Sequence, residues 1–428
     1  MPSPNDIRIL TVVAFVALTL MGLKRPSYAV VGYMVLVFCK LSSYYPAFAA
    51  MQAELVFALV ILARIFINGE AISRLSLNYN KVNQYLFFFI LCVFISFAVA
   101  WDHQYSWDNK VYHFIKVLIL FAMLLGGVRD REDLNIFVVG FMFMFAYLAY
   151  EPSYYFLTGT GGSEQVYGTN YIAQIGILSG HVALANNMNQ MIPIALFAFL
   201  GWKSRVLKAA ALASLLVFIL ALLGSGSRGG VAGFAFFGLV LIYFSKSRGK
   251  AAVFAGVPLL ALFITTGRLT DTLARIDFDA FWGRLIGLTH GIGMLQRGNI
   301  LGVGPGCYLL ARRAYFSYRM ESHNIYGQVI GDLGIPGTIA WGLFLYSVFG
   351  NLIFAKRRLV EGGEGNSFIW YLAQGVMISL LVRLFVSFGS HGLYYFYWYV
   401  MAFLSIAIKE LAKAKFEQQE DLTTREEN

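Results

Sequence analysis

The chain is built from long, unbroken apolar runs separated by short polar loops. The runs fall near 7–23, 27–41, 47–67, 84–101, 111–128, 134–157, 187–201, 206–223, 229–245, 251–266, 325–354, 367–388 and 392–409. A helix of about 20 apolar residues crosses the ~30 Å hydrocarbon core of a bilayer. Inside that core every backbone N–H and C=O must be satisfied within the protein, which leaves helices or closed barrels. The runs are continuous rather than alternating, so a barrel is excluded. With 58% hydrophobic and 13% charged residues, 428 residues carry too little charge to clothe a soluble domain. The fold class is therefore all-α, a polytopic transmembrane helical bundle.

Charge assigns the two sides. Lys24-Arg25, Arg129/Arg131, Lys203/Arg205/Lys208, Lys246/Arg248/Lys250 and Lys356-Arg357-Arg358 occupy every second loop. This is the pattern of positively charged cytoplasmic loops. It accounts for the net charge of +10 without nucleic acid as a partner. The spacing gives 12 or 13 spans: the runs 7–23 and 27–41 are either two tilted helices or one broken hairpin. The start, Met-Pro-Ser-Pro-Asn-Asp-Ile-Arg, lacks the basic region and cleavage site of a signal peptide, so the first helix is expected to stay. The expected organisation is membrane helices over 1–266, a large outer loop with interfacial helices over 267–324, and final spans over 325–409. A charged cytoplasmic tail, disordered at its end, is expected over 410–428. Cys39, Cys92 and Cys307 form neither a disulfide framework nor a thiolate metal site.

The six histidines, His103, His113, His181, His290, His323 and His391, all map to the side opposite the basic clusters or to its edge. His323 stands where a polar loop turns into a long apolar run. A helix N-terminus disfavours imidazolium, and a neutral imidazole can accept a proton. The bland alternative is a histidine that only caps the helix. The loop before it, 267–322, holds seven arginines and no lysine: Arg268, Arg275, Arg284, Arg297, Arg312, Arg313 and Arg319. The planar guanidinium fork matches phosphate oxygens, and lysine does not. The alternatives are a solvated surface, lipid phosphates, or neutralisation by Asp271, Asp277, Asp279 and Glu321. Within this loop, 281–297 has helical apolar spacing suited to lying flat at the interface, and Gly302-Val303-Gly304-Pro305-Gly306 reads as a turn.

Arg228, in Gly224-Ser225-Gly226-Ser227-Arg228-Gly229-Gly230, lies between two apolar runs on the same side. An arginine near membrane depth is a functional candidate by default, with snorkelling as the alternative. Asn186, Asn187 and Asn189 open another run there, suited to capping or to sugar hydroxyls, with capping preferred. Asn324 follows His323. Ionisable residues are sparse within the spans, Glu54, Arg64, Lys116 and Arg383 among them, which argues against a proton- or sodium-coupled transporter. No nucleotide-binding lysine loop, zinc-protease spacing or Cys-x-x-Cys occurs.

His323-Asn324-Ile325-Tyr326-Gly327-Gln328 followed by Gly331-Asp332-Leu333-Gly334-Ile335-Pro336-Gly337 resembles the signature of the O-antigen ligase and O-antigen polymerase superfamily. Ser227-Arg228-Gly229, and Arg284 followed by Gly302–Gly306, resemble two further elements of that family. The match spans 187–340; Asp332 stands where many members carry glutamate. The resemblance implies a GT-C-like membrane glycosyltransferase of the bacterial inner membrane, working at its periplasmic face without a metal or other cofactor. The donor would be a glycan on undecaprenyl diphosphate. The resemblance gives His323 the role of base, and Arg228 and Arg284 that of holding the diphosphate. Arg297, Arg312, Arg313, Arg319, Asn187 and Asn324 are the further candidates for contacting substrate.

The only Arg-x10-Gly spacing, Arg129 to Gly140, begins on the cytoplasmic side, whereas polymerases often carry such motifs in outer loops. That favours the ligase, with the lipid A core oligosaccharide as acceptor. A protein O-oligosaccharyltransferase is disfavoured by the lack of a large soluble C-terminal domain. A lipid-linked oligosaccharide flippase would share the basic outer face but leaves His323 unexplained.

Overall fold

Short polar side chains set where the apolar runs begin as helices. Asn80, Asp130, Ser204, Ser227, Asn324 and Ser367 each accept a backbone N–H from the first turn of the helix that follows. The computed structural model describes residues 4–67, 69–159, 180–245, 247–266 and 278–426. Among the described residues there are helices and turns and no strand.

The longer helices are α1 (Pro4–Gly22), α2 (Pro26–Phe38), α3 (Ala53–Ile67), α4 (Lys81–Ala98), α5 (Tyr112–Gly127), α6 (Arg131–Thr158), α7 (His181–Gly201) and α8 (Arg205–Gly224). They continue as α9 (Arg228–Phe244), α10 (Arg248–Thr266), α11 (Phe278–Gln296), α12 (Tyr308–Phe316), α13 (Ile325–Glu361), α14 (Phe368–Val386) and α15 (Phe396–Glu426). Among the described residues, seven helical segments are long and apolar enough to cross a membrane: Lys81–Ala98, His103–Gly127, Arg131–Thr158, His181–Gly201, Arg205–Gly224, Ile325–Glu361 and Phe368–Gly389. Arg8–Gly22, Pro26–Phe38 and Arg228–Phe244 are shorter apolar helices. The protein is a multi-pass helical bundle, as its apolar runs require.

Several basic residues gather at one end, where Arg131, Lys203 and Lys415 surround Glu364. There Arg25, in the turn between α1 and α2, pairs with Asp130, Glu132 and Asp133 at the start of α6 (3.2, 2.6 and 3.2 Å). Residues 7–41 form two short helices joined by a turn, and their apolar stretches, Arg8–Gly22 and Pro26–Phe38, are each shorter than the seven spanning segments. The charged tail also differs from expectation: α15 continues to Glu426 as helix.

Of most consequence for the site is a break in α13. The sequence run 325–354 looks continuous, yet Gly334 leaves the helix at φ 65°, ψ −159°, so that a short segment, 325–333, precedes a long one. The long segment, 335–361, rises about 40 Å and can cross the bilayer by itself. The Gly302–Gly306 turn docks into the break. Val303 N and Gly304 N donate to the carbonyls of Gly331 and Asp332 (2.9 and 3.1 Å), and Ile335 N donates to Ile300 O (2.9 Å). The orphan groups of an interrupted helix are thereby satisfied. A Cβ at Gly334 would run into the Ile300 carbonyl, in a backbone region that only glycine adopts readily. Gly334→Ala is expected to destabilise the protein by about 2–3 kcal/mol. A lowered melting temperature in detergent checks this, and an unchanged one would show that the clasp is dispensable.

Helix α11 occupies the expected 281–297 segment. It does more than lie on a lipid surface: Gly287 and Gly291 pack against the backbone of Ser322 and Gly327, leaving no room for larger side chains. Trp282 and Ile292 remain exposed on it.

Candidate active site

The short segment of α13 and the turn after α14 bring the site together. Asn324 is fully buried and caps α13, accepting from Tyr326 N and Gly327 N (2.9 and 3.1 Å). Its Nδ2 reaches the carbonyls of Arg284 on α11 and Phe388 after α14 (3.4 Å each). One side chain therefore ties three elements together. Capping, the bland reading of His323, is done by its neighbour, and Asn324 works as a brace.

His323 is left free to point outward. Ser322 Oγ donates to Asn324 O (2.7 Å), closing a tight turn around His323, whose φ is +44°. A non-glycine residue in the left-handed region is uncommon, and such conformations gather at functional sites. His323 is exposed on one side. The packed side of its ring and the cationic Arg312 and Arg284 push its pKa below the ordinary histidine value of 6.5, burial being the largest cause. The imidazole is neutral at pH 7.

A second histidine faces it. The rings of His323 and His391 lie 5.4 Å apart, tilted by 56°. His391 Nδ1 is enclosed without a hydrogen-bond partner. Burial, helped by Lys110, His323 and Arg383, lowers its pKa to about 3. The loop carrying it is fixed by Gln328, whose Oε1 accepts from Gly392 N and Leu393 N (3.0 and 3.3 Å). Buried Asp332 orders this network from below, accepting from Tyr308 N (3.1 Å), Gln328 Nε2 (3.4 Å) and Tyr394 OH (3.3 Å).

The arginines divide by environment. Arg284 on α11 lies across the turn after α14; a Cβ at Gly389 would sit 3.2 Å from its Cζ and Nε. Gly389 is the gap that accommodates this guanidinium, whose charge acts on His323. Arg312 is 1% exposed and used by the fold: Nε donates to His290 Nδ1 (2.8 Å), and Nη1 to the carbonyls of Met320 and Glu321 (3.0 and 2.7 Å). His290, held by burial and Arg312 at a pKa of about 4, stays neutral and stacks on Phe316. Arg312 shapes the loop that leads into His323. Arg297 bonds Gly293 O (3.1 Å) and stacks over Phe316 and Tyr315. Arg313 and Arg319 are exposed, and Arg268 and Arg275 lie outside the described residues.

Arg228 opens α9 and is exposed. Gly233, a turn and a half further on, fits against Val386 of α14 and Asn189 of α7, which places Arg228 at the same end of the bundle as Arg284 and His323. The asparagines of α7 do not cap it, because the helix already starts at His181. Asn189 Nδ2 instead bonds Gly230 O (2.8 Å), joining α7 to α9, and Asn187 Nδ2 bonds Ala183 O of its own helix (2.8 Å). Sequence reasoning gave no place in the site to His391, Gln328 or Arg383. The signals were a histidine on the correct side and an arginine inside a span.

The fold is that of a multi-pass helical membrane protein, with a neutral histidine pair and an arginine brought together beside the start of α13. Residues 212–342 match the family model described as O-antigen ligase. The match covers Arg228, Arg284 and His323 and ends before Arg383 and His391. No curated protein matches the chain.

Proposed function

We propose that the protein transfers O-antigen glycan from undecaprenyl diphosphate to a hydroxyl of the lipid A core oligosaccharide, at the periplasmic face of the inner membrane. The observation that carries this reading is the neutral, outward-facing His323 beside the Arg284 guanidinium. His323 takes the proton of the acceptor hydroxyl. The acceptor oxygen then attacks the anomeric carbon from the face opposite the diphosphate, inverting it. As the bond to the diphosphate breaks, negative charge grows on the leaving oxygen. Arg284 and Arg228 hold that charge; fixed donors stabilise it more in the transition state than before. No metal is needed in this scheme, since arginines supply the positive charge. Asn324 and Gln328 keep His323 and the His391 loop in place.

The test is product analysis with purified protein, lipid-linked glycan and lipid A core. Glycan on the core supports the ligase. Longer glycan on the undecaprenyl carrier would instead make the protein a polymerase, and glycan that only crosses the membrane would make it a transporter. The same assay gives a pH dependence. His323 acts as base only when unprotonated, so the rate falls as pH drops through its folded pKa. That pKa is lowered, so the acid limb should lie below pH 6.5. A limb above that value would assign it to another group.

A further inference from the structure

Arg383 is a buried cation that the protein itself does not neutralise. It is 4% exposed, on α14 inside a membrane-spanning segment. Among the described residues its guanidinium has no carboxylate partner and no hydrogen bond, and its Nε is fully enclosed without an acceptor. It has only aromatic neighbours to offset its charge: its Cζ lies 5.6 Å from the Trp398 ring centroid and 6.0 Å from that of Tyr397. Burying an unpaired guanidinium in a helix bundle is costly, and such groups mark substrate pathways.

The side chain is aimed at the site. A Cβ at Gly392 would lie 3.2 Å from Arg383 Nη2, and Gly392 takes φ +134°, which a side chain rarely adopts. Gly392 adjoins His391, whose ring faces His323. The loop carbonyls that could accept from the guanidinium are already used, Gly392 O by Trp398 Nε1 and Leu393 O by Tyr399 OH (3.1 and 3.3 Å). Arg383 lies six residues before Gly389, against which Arg284 rests, or about 9 Å deeper along α14. A polyprenyl diphosphate bound with its sugar at His323 must send its chain into the bilayer. Its lipid-side phosphate therefore lies deeper than its sugar-side phosphate.

We propose that Arg383 holds the lipid-side phosphate of the diphosphate donor, beneath the sugar-side phosphate at Arg284. This rests on the glycosyl-transfer reading above. It makes α14 and the 390–393 loop part of the donor site. It also explains a buried charge that the apo protein leaves unpaired: the counter-charge arrives with the substrate, and the planar fork suits two phosphate oxygens at once.

The experiment measures binding of undecaprenyl diphosphate and undecaprenyl monophosphate to the full chain in nanodiscs, together with melting temperatures without lipid. Wild type should bind the diphosphate more tightly. Arg383→Gln should weaken binding of both lipids roughly 30-fold or more, since both carry the lipid-side phosphate and removing one partner of a buried charge pair is costly, whereas Arg284→Ala should weaken binding of the diphosphate alone. Without lipid, that variant should melt at or above the wild-type temperature, because an uncompensated charge has gone. Unchanged diphosphate affinity in Arg383→Gln would overturn the proposal. So would a loss confined to the diphosphate, which would put Arg383 on the sugar-side phosphate, or a loss accompanied by a lower melting temperature, the signature of a structural arginine. Should Arg383→Gln fail to fold, Arg383→Met keeps the apolar packing on Trp398 and carries the same test; failure of both to fold would also make Arg383 structural. A wild-type protein without preference for the diphosphate would instead refute the glycosyl-transfer reading itself.

Discussion

His323→Ala is expected to lower the rate of glycosyl transfer by about 10²–10⁴, the range that a positioned general base supplies. The loss should come without loss of the fold. The His323 ring donates no hydrogen bond that holds an element in place, and the helix start beside it is capped by Asn324. A monodisperse, wild-type-like variant with near-wild-type turnover would remove His323 from the chemistry. His391 is not placed to take over. It is more enclosed, and its lowered pKa makes it the weaker base of the pair.

The second large effect is at Arg284. Arg284→Ala is expected to reduce turnover at saturating donor by about 10²–10³, or roughly 3–4 kcal/mol of barrier, as for loss of one donor to a developing oxyanion. Among the described residues the Arg284 side chain makes no hydrogen bond; its backbone carbonyl accepts from Asn324. Its side chain lies over Gly389. Truncating it should therefore spare stability and cost chemistry. Arg284→Lys should recover only part of the loss, because an ammonium cannot present two parallel donors. A kcat within a factor of three of wild type in Arg284→Ala would move the charge-stabilising role elsewhere. Arg312 makes the contrast: it bonds His290, Met320 and Glu321, so its replacement should lower stability along with activity.

Much of this was legible in the residues because it is local. Apolar runs of membrane-spanning length gave the helices, and the basic clusters gave the two ends. The His323-Asn324 pair gave the helix start, since a polar residue before an apolar run is a cap signal. Which of the two residues does the capping depends on a backbone turn at His323 that composition does not encode. The break at Gly334 was hidden because glycine is tolerated within membrane helices. Only the docking of residues 300–304, some 30 positions earlier, shows that this glycine is outside helical geometry.

The remaining site residues could not be read locally. His391 meets His323 across 68 residues of chain, and Gln328 reaches Gly392 across 64. Contacts at that separation depend on how α13, α14 and α15 pack. Arginine enrichment in 267–322 was a sound signal for the end of the bundle but not for individual roles. Burial sets those: Arg312 is consumed by the fold, Arg284 is available to a ligand, and Arg313 and Arg319 face outward. Arg383 carried a sequence signal of its own, an ionisable group in a span. Its lack of a protein partner appears only once its neighbours are in place.

The central claim is that a neutral His323 removes a proton from the acceptor. The most direct measurement is single-turnover transfer by His323→Gly, with and without added imidazole. Glycine suits the positive φ at this position and leaves a space the size of the lost ring. Transfer should be lost in the variant and partly restored by imidazole, with the restored rate rising as imidazole becomes unprotonated. Wild-type transfer by His323→Gly in the absence of imidazole would contradict it.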